Sequence, residues 1–109
     1  MLTLAHIVLH VSDVDRASRF WSRALGYQPR PDRPWELEPP DRRGPVLVLD
    51  EGDRTHLDLL VAEGTERDGE VDRLLVLGAQ RAEWDHPPDA DFTVLADPDG
   101  NLFCVGDAK

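Results

Sequence analysis

The chain's one cysteine, Cys104, lies in the segment DPDGNLFCV, and two of its four histidines, His6 and His56, sit early in short apolar runs, LAHIVLH and HLDLLV. Strand-like alternation along the first run sets His6, Val8 and His10 on one face and Ala5, Ile7 and Leu9 on the other. In the second run Asp58 shares its phase with His56 and Leu60. A carboxylate there orients an imidazole, receives a cationic group, or simply faces water at a rim. The imidazoles themselves either contact a ligand or form hydrogen-bonded structural pairs. Cys104 has two readings as well: a thiolate for metal chemistry, or a small apolar wall residue between Phe103 and Val105, the usual state of a buried free cysteine.

An internal repeat supplies the elements that must position these residues. LAHIVLHVSDVDRASRFWSRALGYQ in the first half can be set beside RTHLDLLVAEGTERDGEVDRLLVLGAQ in the second. Each opens with an apolar strand containing a histidine and runs into a helix that stops at Leu25-Gly26 or Leu77-Gly78, glycine being a natural C-terminal stop. PDRRGPVLVLD then falls on DPDGNLFCVGD, with Gly44 over Gly100 and Val48 over Cys104. Ser12, with Asp15 three residues on, predicts a capping box for the first helix; Val14, Ala17, Phe20, Trp21, Ala24 and Leu25 predict its apolar face. Thr65 predicts the cap of the second, which carries Val71, Leu74 and Leu75 and is interrupted by Gly69. WELE, PVLVL, AEW, DFTVLA and LFCV have strand character between Pro, Asp and Gly turns. One domain over residues 1–109 follows, built of two modules, 1–53 and 54–109, each a strand, a helix and two or three further strands. Trp35 and Phe92, in strands beside the expected cleft, are candidates for stacking on a planar ligand. Trp21 is expected in the core, and Trp84 and His86 at the surface beside a loop.

A tandem βαβββ repeat with a histidine early in each half resembles the vicinal-oxygen-chelate superfamily of glyoxalases, bleomycin-resistance proteins and extradiol dioxygenases. HIVLHVSDVDRASRFWSRALGY, HLDLLV and ADPDGNLFCV are most similar to its small glyoxalase-like-domain branch. The resemblance implies an α+β fold in which tandem βαβββ modules form a curved mixed sheet around a cleft, with the helices on the outer face. It also implies four metal-ligand positions, which fall on His6, near Val48, on His56 and on Cys104. Val48 offers no donor atom, and Cys104 stands where a glutamate is usual. No metal cofactor is therefore expected. If one binds, zinc, iron or nickel would use His6, His56 and Cys104, since zinc accepts mixed nitrogen and sulfur donors whereas magnesium and manganese prefer oxygen. The implied ligand cleft comprises His6, Val8, His10, Trp35, Val48, His56, Asp58, Phe92 and Cys104. The function expected is small-molecule binding with an incomplete metal site, of the resistance or sequestration type. The alternative is a metal-dependent lyase, isomerase or dioxygenase.

Composition narrows the partners. The net charge of −10, from 22 acidic and 12 basic residues, repels a phosphate backbone, so nucleic acid is not an expected partner. No apolar run reaches the roughly 20 residues that cross a bilayer. The N-terminal run lacks a basic start and is broken by His6 and His10, which argues against a signal peptide. One cysteine forms no internal disulfide, so a cytoplasmic protein is expected; the preference for arginine over lysine suggests bacterial, high-GC coding. Glycine-rich phosphate loops, nucleophile elbows and paired cysteines are missing from the sequence, and Ser12, Ser18 and Ser22 all fall on the first helix or its cap. A homodimer is expected, because modules of this kind leave sheet edges and an apolar face to cover. The acidic balance favours a planar ligand with a positive or neutral polar group over an anion, unless Arg30, Arg42 or Arg43 on the loops reaches the cleft mouth.

Overall fold

A computed structural model describes residues 1–52, 54–83 and 90–108. Its elements run β1 (Leu2–His10), α1 (Val14–Leu25), β2 (Gln28–Pro29), β3 (Glu36–Glu38), β4 (Val46–Asp50), β5 (His56–Val61), α2 (Arg67–Leu77), β6 (Gln80–Arg81), β7 (Phe92–Ala96) and β8 (Leu102–Gly106). The fold is mixed α+β, a βαβββ order occurring twice. Contacts divide the chain into Ala5–Thr55 and a second unit in which Met1–Leu4 join His56–Lys109.

In the first unit β4 lies between β1, which it pairs in parallel, and β3, which it pairs antiparallel; β2 closes the outer side of β3. The period-2 alternation of these strands puts Ile7, Leu9, Leu37, Leu47 and Leu49 on one face. That face packs on Val14, Ala17 and Trp21 of α1. Leu37 and Leu49 are almost wholly buried, each contributing about 1.5–3 kcal/mol relative to an exposed side chain. Trp21 thus lies against the core, as its place on the helix predicts. Phe20, Ala24 and Leu25 do not: Phe20 is 62% exposed, its ring set edge-on to Trp21 with centroids 5.1 Å apart. A narrow strand face accepts only the Val14–Ala17–Trp21 stripe, so the wider apolar arc leaves Phe20 outside.

The helix start also differs from the expected box. Asp13 is the N-cap, its Oδ1 accepting from the Arg16 amide at 3.1 Å. Ser12 accepts instead from the Arg16 side chain at 2.8 Å, and Glu51 Oε2 takes the Val14 amide at 3.0 Å. Two carboxylates therefore serve the positive end of α1, which suits its dipole.

The second unit repeats the arrangement. β8 pairs β5 in parallel and β7 antiparallel, and β6 borders β7. Val61, Leu95, Phe103 and Val105 form its core with Val71 of α2, joined by Leu2, Leu59, Leu74, Leu75 and Ala79. The N-cap of α2 is Glu66 rather than Thr65 and makes no side-chain capping bond; Gly69 lies within the helix without ending it. Its buried Glu70 receives the Met1 ammonium at 3.0 Å and Arg73 Nε at 2.6 Å. β6 falls at Gln80–Arg81, ahead of the predicted AEW, while Trp84 and His86 lie outside the described residues. The repeat alignment holds at its turns: Gly44 and Gly100, superposed by sequence, have φ of 88° and 87°, a left-handed conformation that favours glycine.

Candidate functional site

In both units the helix takes one face of the strands, and the residues singled out by sequence lie largely on the other. The register shows how they are placed. In the first unit Val8 stands beside Val48, which stands beside Glu36; in the second Asp58 stands beside Cys104, which stands beside Val94. Val48 and Cys104 are thus equivalent, as the repeat implies. The two rows carry opposite chemistry. The first is apolar except for its β3 member, and the second has its polar groups on β5 and β8.

The second row, with His56 one strand repeat earlier on β5, is the densest collection of reactive side chains among the described residues. His56 Nε2 is 3.2 Å from Asp58 Oδ1. One donor atom from each of His56, Asp58 and Cys104 lies within 4.8 Å of the others. His56 and Cys104 are buried at 7% and 8% exposure, while the Asp58 side chain keeps 31%, so the cluster meets solvent through its carboxylate. Imidazole nitrogen, thiolate sulfur and carboxylate oxygen together suit zinc, with water or a ligand atom filling the fourth position. They do not suit magnesium, which demands an oxygen shell.

Phe92 occupies the next row, opposite Gly106, which is itself opposite Leu60. A Cβ at Gly106 would approach Leu60 Cδ2 to 3.2 Å, so the glycine lets Leu60 lean over it. Half-buried Phe92 and Leu60 thereby give the polar cluster an apolar border. On the first unit His6, Val8 and His10 share the helix-free face with Val48, in register with Val46, Val48 and Asp50. The His10 amide donates to Thr55 Oγ1 at 3.1 Å. Trp35 precedes β3 in a turn and is 42% exposed; Glu36, not Trp35, pairs with Val48.

Sequence reading passed over Glu36. It is buried on the His6–Val48 face and bound by Arg30, whose Nη1 reaches Glu36 Oε1 at 2.7 Å and whose Nε reaches Glu38 Oε1 at 2.6 Å. Arg33 Nη1 adds a second contact to Glu36, at 3.4 Å. The bond to Glu38, then the Glu36, Glu38 and Asp32 charges, raise the Arg30 pKa against the opposing effect of burial. The signal was the alternation within WELE, which sends Glu36 and Glu38 opposite to Leu37.

The sequence matches the family model described as Glyoxalase-like domain over residues 6–106. Among solved structures, the chain is similar to an NAD-dependent benzaldehyde dehydrogenase from Legionella pneumophila at 16% identity and a TM-score of 0.64, covering 95% of this chain and 98% of that one. It is similar to a hypothetical protein from Bacillus halodurans C-125 at 14% identity and a TM-score of 0.61, covering 99% and 95%. A glyoxalase-related enzyme from Fulvimarina pelagi matches at 24% identity and a TM-score of 0.42, covering 97% and 88%. The first two likenesses show a shared fold. No curated protein matches the sequence.

Proposed function

The chain belongs to the glyoxalase-like-domain family, and from that premise we propose that it is a small-molecule-binding protein of the resistance or sequestration type, with its ligand on the helix-free strand faces. The observation that carries this reading is the Val8–Val48 pairing. One of the four positions a metal-dependent relative would draw on, Val48, has no donor atom, and the neighbouring carboxylate, Glu36, is already held by Arg30. What remains on these faces is a binding surface: His6, Val8, His10 and Val48 in one unit, and His56, Asp58, Cys104 and Phe92 in the other. Trp35 adds an exposed aromatic beside β3.

The preferred ligand is planar and cationic or neutral. Asp58 offers a half-exposed carboxylate, Phe92 a ring to stack on, and the chain a net charge of −10. Arg30, one of the three loop arginines that could attract an anion, is neutralised by Glu36 and Glu38. A thermal-shift screen of cationic, neutral and anionic aromatic compounds at low and moderate salt tests this. Stabilisation by the amines is expected, and preferential stabilisation by the anions would overturn the charge argument.

A metal-dependent lyase, isomerase or dioxygenase is the second reading, favoured by the His56–Asp58–Cys104 cluster. Turnover of a ligand that otherwise binds stoichiometrically would decide for it. We further propose a bacterial, cytoplasmic setting, in which Cys104 stays reduced, and a homodimer. No helix among the described residues is long and apolar enough to cross a membrane.

A further inference from the structure

We propose that the exposed face of α1 in one copy of the chain docks on the exposed face of α2 in a second copy, with Phe20 seated over Gly69. The inference rests on the homodimer proposed above and names the surfaces that form it; it is independent of the ligand.

The two helices expose faces of opposite chemistry. Beside Phe20, α1 turns Arg16, Arg19 and Arg23 to solvent, and positions 16, 19, 20 and 23 form one stripe at helical spacing. Asp15 is the single acid among the exposed residues of α1. On α2 the exposed stripe is Asp68, Asp72 and Val76, each four residues from the next, with Gly69, Arg73 and Leu77 alongside. Arg73, the one base among them, is turned to Glu70 at 2.6 Å. Neither Arg19 and Arg23 nor Asp68 and Asp72 form a salt bridge among the described residues. Like faces therefore repel, α1 on α1 setting arginine against arginine and α2 on α2 setting aspartate against aspartate. The mixed contact brings opposite charges together and covers Phe20, Val76 and Leu77 at once.

Shape agrees with charge. Gly69 sits on the outer side of α2, where a Cβ would meet nothing within 4 Å, so packing inside the chain does not call for a glycine. Its backbone does not either, since Gly69 is not among the glycines with positive φ. Glycine weakens a helix relative to alanine. What it offers here is a hole, bordered by Asp72, Arg73 and Val76 at the i, i+3, i+4, i+7 spacing that accepts a knob from a facing helix. Phe20 is that knob, and its neighbours Arg19 and Arg23 then meet Asp68 and Asp72 at the rim. In return, Arg19, Phe20, Arg23 and Ala24 border an open recess of about 420 Å³ that receives Val76. In a twofold pair symmetry repeats the contact, so both faces of each copy are covered.

Sedimentation equilibrium of the full chain, alone and mixed, tests the pairing. Wild type should give a dimer mass. Arg19→Glu/Arg23→Glu and Asp68→Lys/Asp72→Lys should each raise the dimer dissociation constant at least about tenfold, because each sets like charges together. An equimolar mixture of the two variants should regain the dimer mass, since glutamate on α1 of one then faces lysine on α2 of the other. Phe20→Ala, which removes the knob, and Gly69→Leu, which fills the hole without a clash inside its own chain, should each weaken the dimer by a similar factor. Circular dichroism of each variant separates lost association from lost folding, and Asp72→Lys alone is the substitute if the exchange in the first turn of α2 does not fold. A wild-type dimer that persists in both charge-reversed variants, or folded variants whose mixture stays monomeric, would overturn this pairing and leave the homodimer standing. A wild-type monomer at every concentration would overturn both.

Discussion

Cys104 faces Asp58 across adjacent parallel strands, so whatever stands at position 104 meets a carboxylate. In metal-free protein Cys104→Ala removes a small buried group and should cost on the order of 1 kcal/mol in denaturant titrations. Cys104→Glu should cost more, because it places a second carboxylate directly beside Asp58 in a poorly hydrated position. Equal stability of the two variants would show that the row is wetter than its 8% exposure at Cys104 implies. A different residue gives the pH response. The Arg73 hydrogen bond, then the bond to the N-terminal ammonium, lower the Glu70 pKa against desolvation. A carboxyl depressed on folding stabilises the protein fully above its ordinary pKa, 4.5 for this group, and that contribution is lost as pH falls through the depressed value. Acid unfolding of Glu70→Gln should therefore be less steep than wild type over that range, with the two melting temperatures converging at low pH. The His56–Asp58 relation was legible in sequence because a period of two is all it needs. The Arg30 bonds to Glu36 and Glu38 were not, since they depend on how residues 30–36 fold back.

The elements show where local pattern suffices and where packing overrides it. Both helices, their glycine stops and the matched Gly44 and Gly100 turns follow from periodicity and turn chemistry alone. The cap did not, because Ser12 and Asp15 satisfy the spacing of a capping box while Asp13, one residue nearer, takes the Arg16 amide. Asp13→Ala should cost about 1 kcal/mol and Ser12→Ala a few tenths, measured by thermal or urea unfolding; the reverse order would restore the predicted box. Helical spacing puts Phe20 on the apolar face of α1, yet it is exposed because β4 and its neighbours accept only the stripe through Trp21. Leu95→Ala, in the fully buried centre of the second core, should by contrast cost about 2–5 kcal/mol.

For the whole molecule, exposed apolar surface and net charge bear on assembly and selectivity. Phe20, Val76 and Leu77 leave apolar surface on the helices, exposed at 62%, 87% and 67%, and a second copy is the expected cover. Light scattering at micromolar concentration should give a dimer mass, and a monomer mass at all concentrations would reject it. The net charge of −10 should make association with a cationic ligand faster at low salt and slower as salt screens the field. Ligand binding on the helix-free strands is tested by following the amide resonances of the full chain while the most stabilising aromatic amine is added. Saturable shifts concentrated on the helix-free strand residues are expected, His56, Asp58, Phe92 and Cys104 foremost. Shifts confined to the exposed arc of α1 around Phe20, or none with any compound that stabilises the protein, would contradict it.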